Sequence, residues 1–146
     1  GYNKEDCEKY SKLKKVSYAP TCFMLIKNSV FYDVDLMDEK FFVYYDDTDF
    51  VYRSQKLKKR LFYIPDSQMQ HKESVCTGKR SDFFYRYVYR NRVYFASKHR
   101  KFWKLKYLED LIFDKTIRAI KMKNNRGQHE IVSKALKEGY LLGSKK

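Results

Sequence analysis

The second half of this chain is written at helical spacing. Ser81 is a good N-cap, and the residues behind it predict a helix over 81–98. Phe84, Val88 and Phe95 lie at offsets 0, 4 and 11 on one face, with Tyr87 and Tyr94 beside them. Asn91 falls within that stripe, so it is expected to be buried and hydrogen-bonded. A second helix is predicted over 102–121, with Leu105, Leu108, Ile112, Thr116 and Ala119 as its stripe. Asn124, Asn125, Arg126 and Gly127 interrupt the pattern, and residues 129–138 resume it. A helix with one apolar stripe must bury it against another element, so these segments predict a helical layer.

The first half is more broken. Residues 6–15 are charged, with Tyr10 and Leu13 at helical spacing, and predict a short helix. Residues 17–26 turn apolar and continuous, which fits a buried strand. Asn28 or Ser29 can cap a short helix through Val34, and residues 33–39 read as an acidic loop. Residues 41–45 form a dense aromatic knot. Asp47 or Thr48 is a suitable N-cap for a helix from Asp49 to about Leu57. Residues 60–64 read as a strand stopped by Pro65, and 68–71 as a short extended piece. Two or three short strands are too few for a complete α/β sheet carrying this many helices.

With 146 residues the chain fits one domain. No unbroken apolar run exceeds that of residues 22–26, far from the roughly 20 residues a membrane span needs. No basic stretch, apolar run and small-residue cleavage pattern opens the chain, so no signal peptide is expected. Cys7, Cys22 and Cys76 are odd in number and stand at no metal spacing, which favours a reducing compartment over a disulfide framework. The aromatic share is 18%, ample core material for a folded domain. The net charge of +14 is unevenly spread. Residues 1–78 hold 13 basic and 12 acidic residues, and residues 79–146 hold 19 and 6. That asymmetry predicts a polyanionic partner or, more plainly, a set of solvated helix faces.

The chemistry-bearing segment is residues 38–53. It sets Asp46, Asp47 and Asp49 at a predicted helix N-terminus, directly behind the aromatic knot. Carboxylates are favoured there by unpaired N–H groups and the helix dipole, which accounts for one or two of them. Three exceed what capping needs. Clustered carboxylates raise one another's pKa and apolar neighbours raise it further, which is the setting of a general base.

The residues that follow one another here are Asp38, Glu39, Phe41, Phe42, Tyr44, Asp46, Asp47, Asp49 and Arg53, then Tyr63, Pro65 and His71. In order and spacing the run resembles the second half of bacterial inverting glycosyltransferases of family 2, above all the rhamnosyltransferase-like group. Residues 23–27 resemble that family's acceptor-side strand, residues 89–92 its "YRNR" helix, and residues 135–140 its C-terminal tail. The resemblance covers about residues 16–143. It implies an α/β fold: the C-terminal portion of a GT-A type glycosyltransferase, a few short strands followed by amphipathic helices, with the nucleotide-binding half absent. An acceptor-side, catalytic-base part would occupy about residues 16–80 and a helical part about 81–143. Two DxD strings occur, at residues 33–35 and 47–49, and neither stands at the family's metal-binding DxD position. A C-terminal fragment is therefore expected.

The resemblance also implies roles. Asp47 maps onto the general base and Asp46 onto its usual Glu neighbour, one methylene shorter. His71 maps onto a His that helps hold a divalent metal, Mn or Mg; its plainer role is a strand-end His. Asp49, Arg53, Tyr44 and Phe42 map onto substrate contacts, and the aromatic knot would wall the acceptor sugar. Asp35 and Lys58 stand where the family usually has Gly, so Lys58 must make a left-handed turn without Gly's freedom. The implied partners are a nucleotide-sugar donor, a saccharide or lipid-linked saccharide acceptor, an anionic membrane surface and a second copy of the chain. The implied location is the cytoplasm, at the inner face of the cytoplasmic membrane, in cell-envelope polysaccharide synthesis.

A different class of reading is a basic, aromatic-rich binding module for nucleic acid or anionic lipid. Lys98, Arg100, Lys101, Lys104 and Lys106 interleave with Phe102 and Trp103, which suits phosphate contacts or a membrane interface. No nucleic-acid-binding motif accompanies them. Gln128, His129 and Glu130 suggest a zincin string, but Ser133 stands where its second His is required. A structural or oligomerising domain is a third possibility.

Overall fold

A computed structural model describes residues 8–69, 71, 80–121 and 126–145. They are mostly helical. In chain order the elements are β1 (Lys14–Val16), α1 (Asn28–Val34), α2 (Asp46–Lys56), β2 (Leu61–Tyr63), α3 (Asp82–His99), α4 (Trp103–Lys121) and α5 (Arg126–Ser144). Three short 3-10 turns, Glu8–Tyr10, Thr21–Phe23 and Glu39–Phe41, lie between them. Short strands and a run of long C-terminal helices are present as expected, but α1 and α2 lie between the two strands. The α/β label is corrected: the sheet is one antiparallel ladder of two three-residue strands, with Lys15 opposite Phe62.

Two compact units divide the chain. One holds residues 1–38 and 47–72, the other residues 39–46 and 73–146. In the first unit, α1 and α2 share Phe31 and Phe50, whose rings lie 5.5 Å apart. Buried Val34, Phe50 and Val51 complete that small core. Lys59 pairs with Asp33, and the Gln55 amide donates to the Ser17 carbonyl. The chain leaves α2 through Lys58 at φ 57, with Lys58 N–H donating to Gln55 and Lys59 N–H to Ser54. These two bonds are the Schellman closure that a left-handed residue permits.

The second unit is built on α3. Ser81 caps it as expected, its hydroxyl accepting from Phe84 N–H at 3.2 Å. Val93, Val132 and Leu136 form the centre of the helical core, with Tyr85, Tyr89, Trp103, Tyr107, Leu111 and Tyr140 packed around them. Gly139 lets α5 approach α3 closely, because a Cβ there would stand 2.3 Å from the Arg90 carbonyl oxygen. Arg92 reaches across to α4, its Nη2 donating to Asp110 at 2.8 Å. Among the described residues no helix is long and apolar enough to cross a membrane.

Several expectations are corrected. Within 6–15 the described residues form only the Glu8–Tyr10 turn before Lys14–Val16 pairs with β2, because a segment this short takes its structure from a tertiary partner. Residues 17–26 form no strand: Pro20 leads into a 3-10 turn, and Leu25 is fully exposed. Helix α1 starts at Asn28, with Lys27 as an N-cap that makes no side-chain bond. Helix α2 starts at Asp46 rather than Asp49, so the three carboxylates occupy its first turn. Helix α5 runs well beyond 129–138. On α3, Phe84, Val88 and Phe95 are only half-buried, whereas Asn91, Val93, Tyr94 and Ala96 are the buried residues. On α4 the expected stripe faces outward: Leu105, Leu108 and Ile112 are exposed, and Trp103, Tyr107 and Leu111 meet the core instead. Of 68–71, the described residues adopt no regular structure. Cys7, Cys76, Asn124, Asn125 and the Ala119 side chain lie outside the described residues.

Candidate functional site

The first turn of α2 carries the acids because its unpaired N–H groups favour negative charge. Asp47 is half-buried, and both of its oxygens are engaged. Oδ2 accepts from the Tyr18 hydroxyl at 2.7 Å. Oδ1 accepts from Thr48 N–H at 2.6 Å and from the Thr48 hydroxyl at 3.2 Å. The carboxylate is thereby fixed in orientation while part of it stays open to solvent. Asp46, next to it, is also half-buried.

Asp49 and Arg53 come together differently. Asp49 is fully buried, and its Oδ2 accepts from Arg53 Nε at 2.8 Å, one helical turn on. The rest of the guanidinium reaches the end of α1: Nη1 donates to the Val34 and Asp35 carbonyls, and Nη2 to the Leu36 carbonyl at 2.8 Å. Val34 ends α1 and its carbonyl has no intrahelical partner, and Asp35 and Leu36 follow directly, so Arg53 ties α2 to the end of α1. Asp35, just past that end, sits at φ 73 and bonds its own carboxylate to Leu36 N–H.

In the helical unit the aromatic knot is held from below by α3. Phe42, Tyr44 and Tyr45 sit at φ 64, 59 and 65, values that cost a bulky residue about 1–3 kcal/mol each. Asn91 and Arg90 hold the knot's backbone in place. Buried Asn91 Nδ2 donates to the Phe41, Val43 and Tyr44 carbonyls at 2.8, 2.6 and 2.9 Å. Arg90 Nη2 donates to the Lys40 and Phe41 carbonyls, both at 2.7 Å, and its Nε to Asn91 Oδ1 at 2.8 Å. Burial pushes the Arg90 guanidinium below its ordinary value.

Each knot ring meets an α3 ring. Phe41 is fully buried against Tyr94 at 4.9 Å, and Lys98 Nζ lies 5.3 Å from its centroid. Tyr44 meets Phe84 edge-on at 5.5 Å, and Tyr45 meets Phe95 at 5.7 Å. Burial raises the Tyr45 hydroxyl above its ordinary value, and Arg92 nearby offsets part of that. Phe42 touches Tyr87 at 5.3 Å yet remains 69% exposed, the one knot ring with a broad open face.

His71 is exposed. Among the described residues no group of three or more His, Cys, Asp or Glu is arranged to hold a metal ion, so these residues do not by themselves fit a metal centre. Sequence reasoning missed Tyr18, which lies 29 residues before Asp47 inside a segment read as buried strand. It missed the Arg90 clamp as well. Asn91 was legible, because an amide inside an apolar stripe needs buried partners.

Comparison with known proteins finds no matching family model, no matching curated protein and no matching solved structure.

Proposed function

We propose that this chain is the acceptor-side part of an inverting glycosyltransferase that moves a sugar from a nucleotide-sugar donor to a saccharide or lipid-linked saccharide. The observation that carries the reading is the Asp47 carboxylate, held at both oxygens in the first turn of α2. A general base must be fixed in orientation and still reach the proton it removes. Asp47 takes the proton of an acceptor hydroxyl as that oxygen attacks the anomeric carbon. The bond to the nucleoside diphosphate breaks, and the diphosphate leaves with the electron pair.

Within its own unit Phe42 presents an exposed ring, the kind of surface on which the apolar face of a sugar can stack. Asp49 and Arg53 act at one remove, by tying α2 to the end of α1.

The test uses the whole gene product and a panel of nucleotide sugars, reading nucleoside diphosphate release with and without saccharide acceptors. Replacing Asp47 by Asn is expected to lower turnover by about a hundredfold to ten-thousandfold, with donor affinity unchanged. A variant that keeps most of its turnover removes Asp47 as the base.

A further inference from the structure

We propose that the outward face of α4 is a docking surface for an anionic lipid bilayer. An anionic membrane surface is among the partners expected from sequence; the face that meets it is new, and it can fail while the Asp47 reading stands. Leu105, Leu108, Ile112 and Phe113 are 64, 51, 65 and 63% exposed, and Phe102, just before the helix, is 69% exposed. With Glu109 and Thr116 the four α4 residues form one open, mostly apolar strip along one side of the helix. Scattered exposed apolar residues are ordinary on a protein surface, but a contiguous row of this kind marks an interaction site.

The opposite side of α4 is already committed. Trp103 packs on Tyr140 at 5.2 Å, Tyr107 lies 4.7 Å from the same ring, and Leu111 joins the core. Asp110, 6% exposed, is held by Arg92 at 2.8 Å and Lys106 at 3.2 Å. Rotating the helix to bury the Leu105–Ile112 side would expose these groups, so the apolar row stays outward. Trp103, part of the interfacial pattern expected from sequence, is thereby withdrawn from it and replaced by Leu105, Leu108, Ile112 and Phe113.

Charge selects the partner. Residues 79–146 carry 19 basic and 6 acidic residues, and Arg100, Lys101 and Lys104 are exposed where the apolar row begins. Lys101 Nζ lies 5.7 Å from the Phe102 ring centroid, so a cation and an apolar ring are presented together. The one acid in that strip, Glu109, is paired with Lys106 at 3.1 Å. Apolar side chains at the acyl boundary with cations at the headgroups are the pattern of an interfacial helix. A second copy would bring two rims of the same sign together, which opposes self-association through this face.

The experiment is co-sedimentation of the full chain with vesicles of phosphatidylglycerol and phosphatidylcholine, against vesicles of phosphatidylcholine alone. Pelleting is expected with the anionic vesicles and not with the neutral ones, and added salt should weaken it. The double variant I112S/F113S is expected to lower partitioning by about tenfold or more, and the double variant K101E/K104E by a similar factor. Circular dichroism of both variants should match the parent, because all four side chains are exposed. Equal pelleting with neutral vesicles, no pelleting at all, or undiminished pelleting of I112S/F113S would overturn the proposal. So would a dimer that I112S/F113S abolishes in the absence of lipid. Salt-sensitive binding to a single-stranded oligonucleotide without vesicle binding would assign the cations to nucleic acid instead.

Discussion

Asn91 donates to the carbonyl of Phe41 from 50 residues away, at 2.8 Å. The same amide serves Val43 and Tyr44, so one α3 side chain fixes the backbone that leads into Asp46. Replacing Asn91 by Ala would remove the amide that the Val43 and Tyr44 carbonyls share and leave the Phe41 carbonyl to Arg90 alone, beneath three residues at positive φ. A loss of about 3 kcal/mol in folding stability is expected, measured by urea denaturation. Near-ultraviolet circular dichroism should lose part of its aromatic signal, because the knot rings are no longer held. Replacing Asn91 by Leu keeps the branching and the number of heavy atoms and should cost at least as much, which separates the lost hydrogen bonds from a cavity.

Lys58 occupies the left-handed position that closes α2, at φ 57. Its N–H bond to Gln55 uses the backbone alone, so the side chain is not needed for the closure. Replacing Lys58 by Gly is expected to stabilise the chain by about 0.5–1 kcal/mol, the left-handed penalty less the entropy that Gly adds to the unfolded state. Replacement by Val should destabilise it. Thermal melts of the three proteins give the order.

How much of this was legible follows from the range of the interactions. The Ser81 cap was readable because donor and acceptor lie three residues apart. The Lys58 turn was expected from the resemblance alone, because nothing in Lys itself signals a left-handed position. Tyr18 was not, because nothing near either residue specifies a bond across 29 positions. The α4 stripe failed for another reason. That helix carries two apolar rows, Trp103, Tyr107 and Leu111 against Leu105, Leu108 and Ile112, and periodicity does not say which one meets α3 and α5. In residues 17–26 apolar content does not mean burial, since Leu25 is wholly exposed.

Tyr45 makes stability pH-dependent at the alkaline end. Burial raises its folded-state pKa, with Arg92 as the opposing influence and Asp110 adding to the rise. A tyrosine whose pKa is higher folded than unfolded contributes its full stability below the unfolded value of about 10. That contribution is lost as pH rises through the folded value, because the unfolded chain ionises first. Stability should therefore fall above about pH 10 in denaturation curves taken across that range. Replacing Tyr45 by Phe is expected to flatten the fall. Burial raises Tyr107 in the same direction, so a residual slope should remain.

Arg53 separates a substrate contact from a strut. Its Nε holds the fully buried Asp49, and its two other nitrogens cover the carbonyls that end α1. Replacing Arg53 by Met keeps the unbranched stem of the side chain and removes every one of those donors. A buried carboxylate then lacks its cation, which costs about 3–5 kcal/mol. Replacing Asp49 by Asn alongside it should recover part of that loss, because no uncompensated charge remains in the interior. Urea denaturation of the two single variants and the double variant completes the cycle, and a coupling near zero would show that the pair is not a structural unit. In the whole gene product a strut predicts lost stability with KM unchanged in the molecules that stay folded. A direct substrate contact predicts the reverse: a raised KM at parental stability.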